Sequence, residues 1–276
     1  LSSETIDLDV ALGRVTAEPV WAKLSSPHYH SAAMDGYAIQ SKTTESATET
    51  SPILLKIPDQ ATYVDTGSTI PTWSDGVIPI ENVQVSSTES TQSITIYKSA
   101  APWQHIRPMG EDMVTTELVL PANHCLRPAD LGAIAASGHS EVSVRRLPNI
   151  AIIPTGDELV PIGTIPQPGQ IIEYNTLMLA AQIKDWNGLP KRWPIIPDNK
   201  KYLKTCLLEA IKTSDLIILN AGSSKGSKDF ASETINEIGN VIIHGIAIRP
   251  GHPVILGVIK NPDNNKVPPP KKTPQK

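Results

Sequence analysis

"LIILNAGSSKGSKDF", residues 216–230, is the stretch on which the reading of the whole chain turns. An apolar run stops at a patch of glycine and serine and then lands on an aspartate. A run of that kind suits a buried strand. Gly222 and Gly226 let bare backbone approach a ligand, while Ser223, Ser224 and Ser227 offer hydroxyls. Between a buried strand and a helix, such a loop suits a phosphate or another oxyanion. A plain connecting loop is the alternative reading.

The same rhythm runs outward from this stretch over residues 149–260. "NIAIIP" (149–154) is a buried-strand run, and "RWPII" (192–196) is a candidate next strand that ends at Asp198. Between them, Leu179, Ile183 and Trp186 stand at helical spacing, with Gly188 as a stop. The clearest helix is "NKKYLKTCLLEAIKTS" (199–214), where Leu203, Cys206, Leu207, Ala210 and Ile211 form one apolar face. A further helix runs through "FASETINEIG", and "VIIHGIAI" (241–248) follows as a fourth strand. Strands alternating with helices predict an α/β domain with a parallel sheet and right-handed crossovers.

The N-terminal half has a different texture. "DLDVALGRV" (7–15) predicts a short helix capped by Asp7 and ended by Gly13. To about residue 106 the chain is rich in Ser, Thr and β-branched residues, which predicts a small β domain. Residues 107–148 are mixed and loop-rich, and residues 261–276 form a Pro/Lys-rich tail expected to be disordered. The whole chain has 276 residues, 39% hydrophobic and 19% charged, which fits a soluble globular protein. Its 24 basic and 28 acidic residues argue against nucleic-acid binding by a basic surface. No apolar run has the length of a membrane span, and no signal peptide is visible. Cys125 and Cys206 make no disulfide or metal framework, so a cytoplasmic setting is expected.

In a parallel sheet, ligands bind beyond the carboxyl ends of the strands. Carboxylates collect at three such ends: Asp157 and Glu158 in "TGDE", Asp198 in "IIPDN", and Asp229 after the serine loop. Several carboxylates at one rim repel unless a cation sits among them, and magnesium would also bridge phosphate oxygens. For Asp198 a helix N-cap is the alternative. Three further stretches look specialised: "SAAMDGYAI" with Asp35 and Gly36 in a tight turn, "VDTGSTIPTWSDGVIPIE" with Thr66 and Gly67, and "RPMGEDM" with Arg107, Glu111 and Asp112. Each alone is equally a turn or a surface ion pair. His28 and His30 at i, i+2 are a weak metal-ligand set.

Taken in order, "PHYHSAAMDGYAI", "TGSTIPTWSDGVIPIE", "RPMGEDM", "TGDELV", "AGSSKGSKD" and "RPGHP" resemble the motif series of the molybdopterin molybdotransferase family, the MoeA and gephyrin E-domain type. The resemblance implies a MogA-like α/β domain over 149–260, a small β domain over 31–106, and an extended linker domain built from 1–30 and 107–148. It implies insertion of molybdate into adenylylated molybdopterin with release of AMP, dependent on magnesium. Glu158, Asp198 and Asp229 fall at acidic positions that such a cation would use. Asp35 and Thr66 match reactive positions of the N-terminal half. Arg107, Asp112 and the loop of Gly222, Ser223, Ser224, Gly226 and Ser227 match substrate-binding positions, and Arg249 and His252 match molybdate contacts. A homodimer is implied, in which Asp35 and Thr66 complete a site across the subunit interface, and a molybdopterin adenylyltransferase stands upstream. The chain departs from the pattern at Gly245 and His252, where many members carry lysine. After Ile259 the family's next loop, helix and C-terminal β domain do not appear. These departures leave open a non-catalytic molybdopterin-binding or scaffold protein.

Overall fold

This computed structural model describes residues 1–87, 92–221, 230–249 and 253–259. The chain divides into two units, Ser3–Arg145, and Leu1–Ser2 with the residues from Arg146 onward.

In the first unit the strands are short and antiparallel. β1 (Ser3–Asp7) and β2 (Val20–Trp21) lead to β3 (Ser31–Ala32) and β4 (Gly36–Ile39). β5 (Ile53–Ile57), β6 (Ala61–Val64), β7 (Gly76–Pro79), β8 (Val83–Ser87) and β9 (Gln92–Ile96) follow. After them come β10 (Ile106–Arg107), β11 (Leu118–Leu120), helix α1 (Pro128–Ala136) and β12 (Glu141–Arg145). β4 lies between β6 and β7, and β9 between β5 and β8. Apolar residues of these sheets, among them Ile39, Leu55, Ile94 and Ile96, share one buried cluster. β1 pairs with β12, and β2 with β11, so the start of the unit returns to its end around a second cluster that includes Leu126, Ile134 and Val144. Helix α1 was not visible in the mixed stretch 107–148, because its start is an unusual one. Arg127 stands at the N-cap, its backbone N–H and guanidinium both donate to the Asp130 carboxylate, and Pro128 opens the first turn. The expected helix over 7–15 shrinks to a 3-10 turn, Leu8–Val10, and Asp7 makes no side-chain cap. Asp7 is instead the last residue of β1, so strand pairing with β12 takes precedence over the local cap signal.

The second unit begins with β13 (Asn149–Thr155), followed by β14 (Leu159–Val160) and β15 (Ile171–Ile172). Then come α2 (Asn175–Asp185), β16 (Leu189–Arg192), α3 (Lys200–Ile211), β17 (Leu216–Ala221), α4 (Phe230–Ile238), β18 (Gly239–His244) and β19 (Ile255–Ile259). β13 is central, parallel to β16 on one side and β17 on the other. Its alternate residues serve two layers. Ala151 and Ile153 pack with Leu203, Cys206, Leu207 and Ala210 of α3, whereas Ile150 and Ile152 pack with Ala180 and Ile183 of α2. Both faces of the strand are therefore covered, which is why its sequence is continuously apolar.

Three expectations change here. The strand after α2 is Leu189–Arg192 and not "RWPII", because Pro190 through Arg192 take the register against β13; Ile196 keeps one bridge, to Thr155. Trp186 is not core: α2 ends at Asp185, and the indole is 71% exposed beyond it. The fourth strand does not join the parallel sheet in the described residues, since β18 and β19 pair antiparallel with each other as a separate hairpin.

Candidate functional site

Beyond the carboxyl end of β13 the backbone turns at Thr155-Gly156-Asp157-Glu158. Gly156 N–H donates to the Ile196 carbonyl at 3.2 Å, which brings the segment carrying Asp198 alongside. The Thr155 side chain, only 4% exposed as a residue, donates its hydroxyl to Asp198 Oδ1 at 2.7 Å. Asp157 Oδ1 accepts the Asp198 backbone N–H at 3.3 Å. Glu158 turns its carboxylate back over Gly156, where an added β-carbon would stand 2.7 Å from Oε2, so the glycine leaves the room this carboxylate occupies. The strand end thus brings Asp157 to Asp198, with Glu158 next to Asp157 on the same turn. The helix cap, by contrast, is the neighbouring Asn199, whose side chain accepts the N–H groups of Lys201 and Tyr202. That frees Asp198 from the capping role and leaves its carboxylate to the rim. Thr155 has no assigned role in the sequence reading, although it stands in the quoted "TGDE"; a polar residue directly after the apolar run Ile150–Pro154 is the available signal.

The remaining rim residues lie partly beyond reach. Gly222, Ser223, Ser224, Gly226, Ser227, Asp229 and His252 fall outside the described residues. Arg249 is described and exposed. Among the described residues no group of three or more His, Cys, Asp and Glu side chains is arranged to hold a metal ion. What is present is an open edge of carboxylates, and magnesium asks for no more than that. It keeps several waters and takes one or two carboxylates together with substrate phosphates. Glu158 and Asp198 fit that demand.

In the first unit a second polar site forms between the turn before β4 and the turn after β6. Thr66 donates both its backbone N–H and its hydroxyl to Asp35 Oδ1, each at 2.7 Å. The hydroxyl bond, then the backbone bond, holds the exposed Asp35 carboxyl below the usual carboxylate range. Gly36 is required at the next position. A β-carbon there would meet the Ile78 carbonyl oxygen at 2.1 Å, because β4 is squeezed between β6 and β7. The Thr66 turn is tied down by Gly67 N–H to the Ala32 carbonyl at 2.8 Å, and the Tyr29 hydroxyl donates to the Gly67 carbonyl at 3.2 Å.

Arg107, on β10, is turned onto its own loop. Its Nε donates to Glu111 Oε2 at 2.6 Å, and a terminal nitrogen pairs with Asp112. Asp112 and then Glu111 raise the guanidinium's affinity for its proton. Arg107 and Asp112 therefore come together as expected, but as partners of one another, and the loop carries one more negative than positive side chain. The two histidines do not form a ligand pair: His30 Nδ1 accepts the Met109 backbone N–H at 3.0 Å, and His28 packs edge-on against Tyr29.

Comparison with known proteins gives two family matches that follow one another along the chain. Residues 1–138 match the "MoeA N-terminal region (domain I and II)", and residues 151–267 match a "Probable molybdopterin binding domain". A "Putative molybdopterin biosynthesis protein" of Methanocaldococcus jannaschii is 31% identical over 271 residues, covering 93% of this chain and 67% of the relative. A molybdopterin molybdenumtransferase of Nostoc is 30% identical over 276 residues, covering 94% of this chain and 62% of its own length. Among solved structures, a molybdopterin biosynthesis MoeA protein from Pyrococcus horikoshii superposes with a TM-score of 0.81 at 31% identity, over 94% of this chain and 68% of that one. The chain thus spans about two thirds of the length of the relatives it matches.

Proposed function

This chain belongs to the MoeA family of molybdenum-cofactor biosynthesis proteins, and from that premise we propose that it carries the substrate site of a molybdopterin molybdenumtransferase. The reaction proposed is insertion of molybdate into adenylylated molybdopterin with release of AMP. The observation that carries this reading is the rim at the end of β13, where Thr155 and Asp157 hold Asp198 inside the matched molybdopterin-binding domain. The domain is taken to be MogA-like.

Magnesium, held by Glu158 and Asp198 with Asp229, would neutralise the pyrophosphate of the adenylylated substrate. The chain's own groups do the rest. The Thr155 hydroxyl donates a hydrogen bond to Asp198 Oδ1 and so holds that carboxylate in place at the rim. Gly222, Ser223, Ser224, Gly226 and Ser227 supply backbone and hydroxyl donors to the terminal phosphate. Asp35, kept ionised by two bonds from Thr66, is an acceptor and not a proton donor near neutral pH. Arg249 is the cation assigned to molybdate, with His252 beside it in sequence. A homodimer and an upstream adenylyltransferase belong to the same proposal. The test is AMP release from adenylylated molybdopterin by the 276-residue chain, with magnesium and molybdate each omitted in turn. Release that requires both supports the reading; tight binding of the substrate without release contradicts the transferase activity.

A further inference from the structure

Residues 157–172 carry the acidic turn away from β13 without one buried residue among them. Asp157 and Glu158 open this segment, β14 and β15 follow, and residues 161–170 between the two strands are all exposed. A ribbon of two strands of two residues each has little stability of its own. Yet it holds the acidic turn by its backbone. Ile171 N–H donates to the Glu158 carbonyl at 2.9 Å, and Glu173 N–H donates to the Val160 carbonyl at 2.9 Å. A ribbon this exposed can hold Glu158 only if its own far end is fixed.

Glu173, directly after β15, is the first buried residue beyond Gly156, and it is only 5% exposed. Its carboxylate is surrounded by donors. Thr176, itself fully buried in the first turn of α2, gives its backbone N–H to Oε1 at 2.8 Å and its hydroxyl to Oε2. Arg192 donates Nε to the Thr176 hydroxyl oxygen at 2.8 Å, and a terminal nitrogen reaches Glu173 Oε2 at 3.4 Å. Arg192 closes β16 in register with Ile152 of β13. The end of the ribbon is therefore bonded to a helix and to the main sheet at once. A helix cap alone asks for less: Asn199 caps α3 with a short side chain and no arginine. A buried carboxylate paired with arginine adds little net stability, but its hydrogen bonds fix direction.

We propose that Glu173 is a positioning residue for Glu158, fixing through the β14–β15 ribbon the backbone from which that carboxylate projects. Its value to the chemistry rests on the role given above to Glu158 as a magnesium ligand. Magnesium demands near-ideal octahedral geometry, so a carboxylate on an unanchored ribbon would hold it poorly. β13 secures the start of the acidic turn, and the clamp of Glu173, Thr176 and Arg192 secures its other end. Glu173 touches neither metal nor substrate in this assignment; it acts through the ladder bonds to Glu158 and Val160.

Amide hydrogen exchange and the magnesium dependence of AMP release test this in two variants. Glu173→Gln keeps the shape of the side chain, and Arg192→Ala removes the arginine from a part-exposed position. In both, the amides of Ile171 and of residue 173 are expected to exchange at least about tenfold faster, while those of β13 keep their rates. The magnesium concentration for half-maximal AMP release is expected to rise at least about tenfold, as when the partner of a metal ligand is lost. The rate at saturating magnesium is expected to fall by less than about threefold. A residue that only caps α2 would move neither the ribbon amides nor the magnesium dependence. Unmoved Ile171 exchange in the variants, or a magnesium dependence equal to that of the unaltered chain, overturns the proposal. Should Glu173→Gln not fold, Arg192→Ala supplies both readouts. The exchange readout needs neither substrate nor metal. A failure of the transferase reading therefore shows as absent AMP release in the unaltered chain, and a failure of the positioning role as unmoved Ile171 exchange in the variants.

Discussion

The two units each hold a carboxylate with a threonine hydroxyl at 2.7 Å, Asp35 with Thr66 and Asp198 with Thr155. The chemistry is the same and the setting is opposite. Thr66 is exposed on a turn and adds its backbone N–H to the same oxygen. Thr155 is buried at the end of a strand in which Ile150 through Pro154 are buried, and it offers the hydroxyl alone. Water can replace Thr66 at Asp35. It cannot easily replace Thr155, so the buried pair fixes geometry while the exposed pair mainly tunes charge.

The largest effect is expected where the exposed pair is anchored. Gly36→Ala drives a methyl group into the Ile78 carbonyl, a backbone contact at 2.1 Å that no rotamer relieves. A loss of about 3 kcal/mol or more in urea unfolding of the first unit is expected, at the upper end of overpacking costs. A loss under about 1 kcal/mol would mean that β6 and β7 spread easily, and that the Asp35 turn is less fixed than argued.

Next is the buried hydroxyl. Thr155→Val keeps the shape and leaves Asp198 without its donor, for an expected loss of about 1–3 kcal/mol. Thr66→Val on the exposed pair is expected to stay within about 0.5 kcal/mol. Equal losses in urea unfolding would remove the distinction between the two sites.

The exposed pair shows itself in titration. Asp35 is expected to titrate below 3.8 by carboxyl-carbon NMR, and Thr66→Val to raise that midpoint. The sign follows from linkage. A depressed carboxyl contributes stability that is present above its unfolded value and lost as pH falls through the folded one. An unmoved midpoint in Thr66→Val would separate the shift from the hydrogen bonds.

The smallest effect concerns an exposed carboxylate held by lysines and no hydroxyl. Glu237 lies between Lys200 and Lys204, which hold its pKa near about 2 from an ordinary 4.5. Lys200→Ala is expected to raise the Glu237 midpoint toward 4.5, with little change in unfolding at neutral pH. The α3–α4 attraction is complete above 4.5 and fades as pH falls toward about 2. No movement of the midpoint would show that the lysines act only as solvated neighbours.

What the sequence made legible follows from period and motif. The face Leu203, Cys206, Leu207, Ala210 and Ile211 is buried as its spacing predicts, and NIAIIP is the central strand. The acidic ends of TGDE and IIPDN meet, since the segment after β16 continues alongside β13 through the Thr155–Ile196 bridge. Illegible were features set by pairing over long separations. β1 finds β12 across more than a hundred residues and removes the expected helix at Asp7. The register of Leu189–Arg192 on β13 displaces RWPII in the same way. Thr155 was overlooked because the value of its hydroxyl depends on Asp198, forty-three residues away. The serine loop, residues 222–229, lies outside the described residues, so its phosphate-binding role stays a proposal.

The central claim is that the rim at the end of β13 is where the transferase chemistry occurs. AMP release from adenylylated molybdopterin, compared between the unaltered chain and Asp198→Asn, tests it most directly. The account expects release that needs both magnesium and molybdate and falls at least about a hundredfold in Asp198→Asn, with substrate binding still measurable. Release that is the same in the two proteins would contradict it.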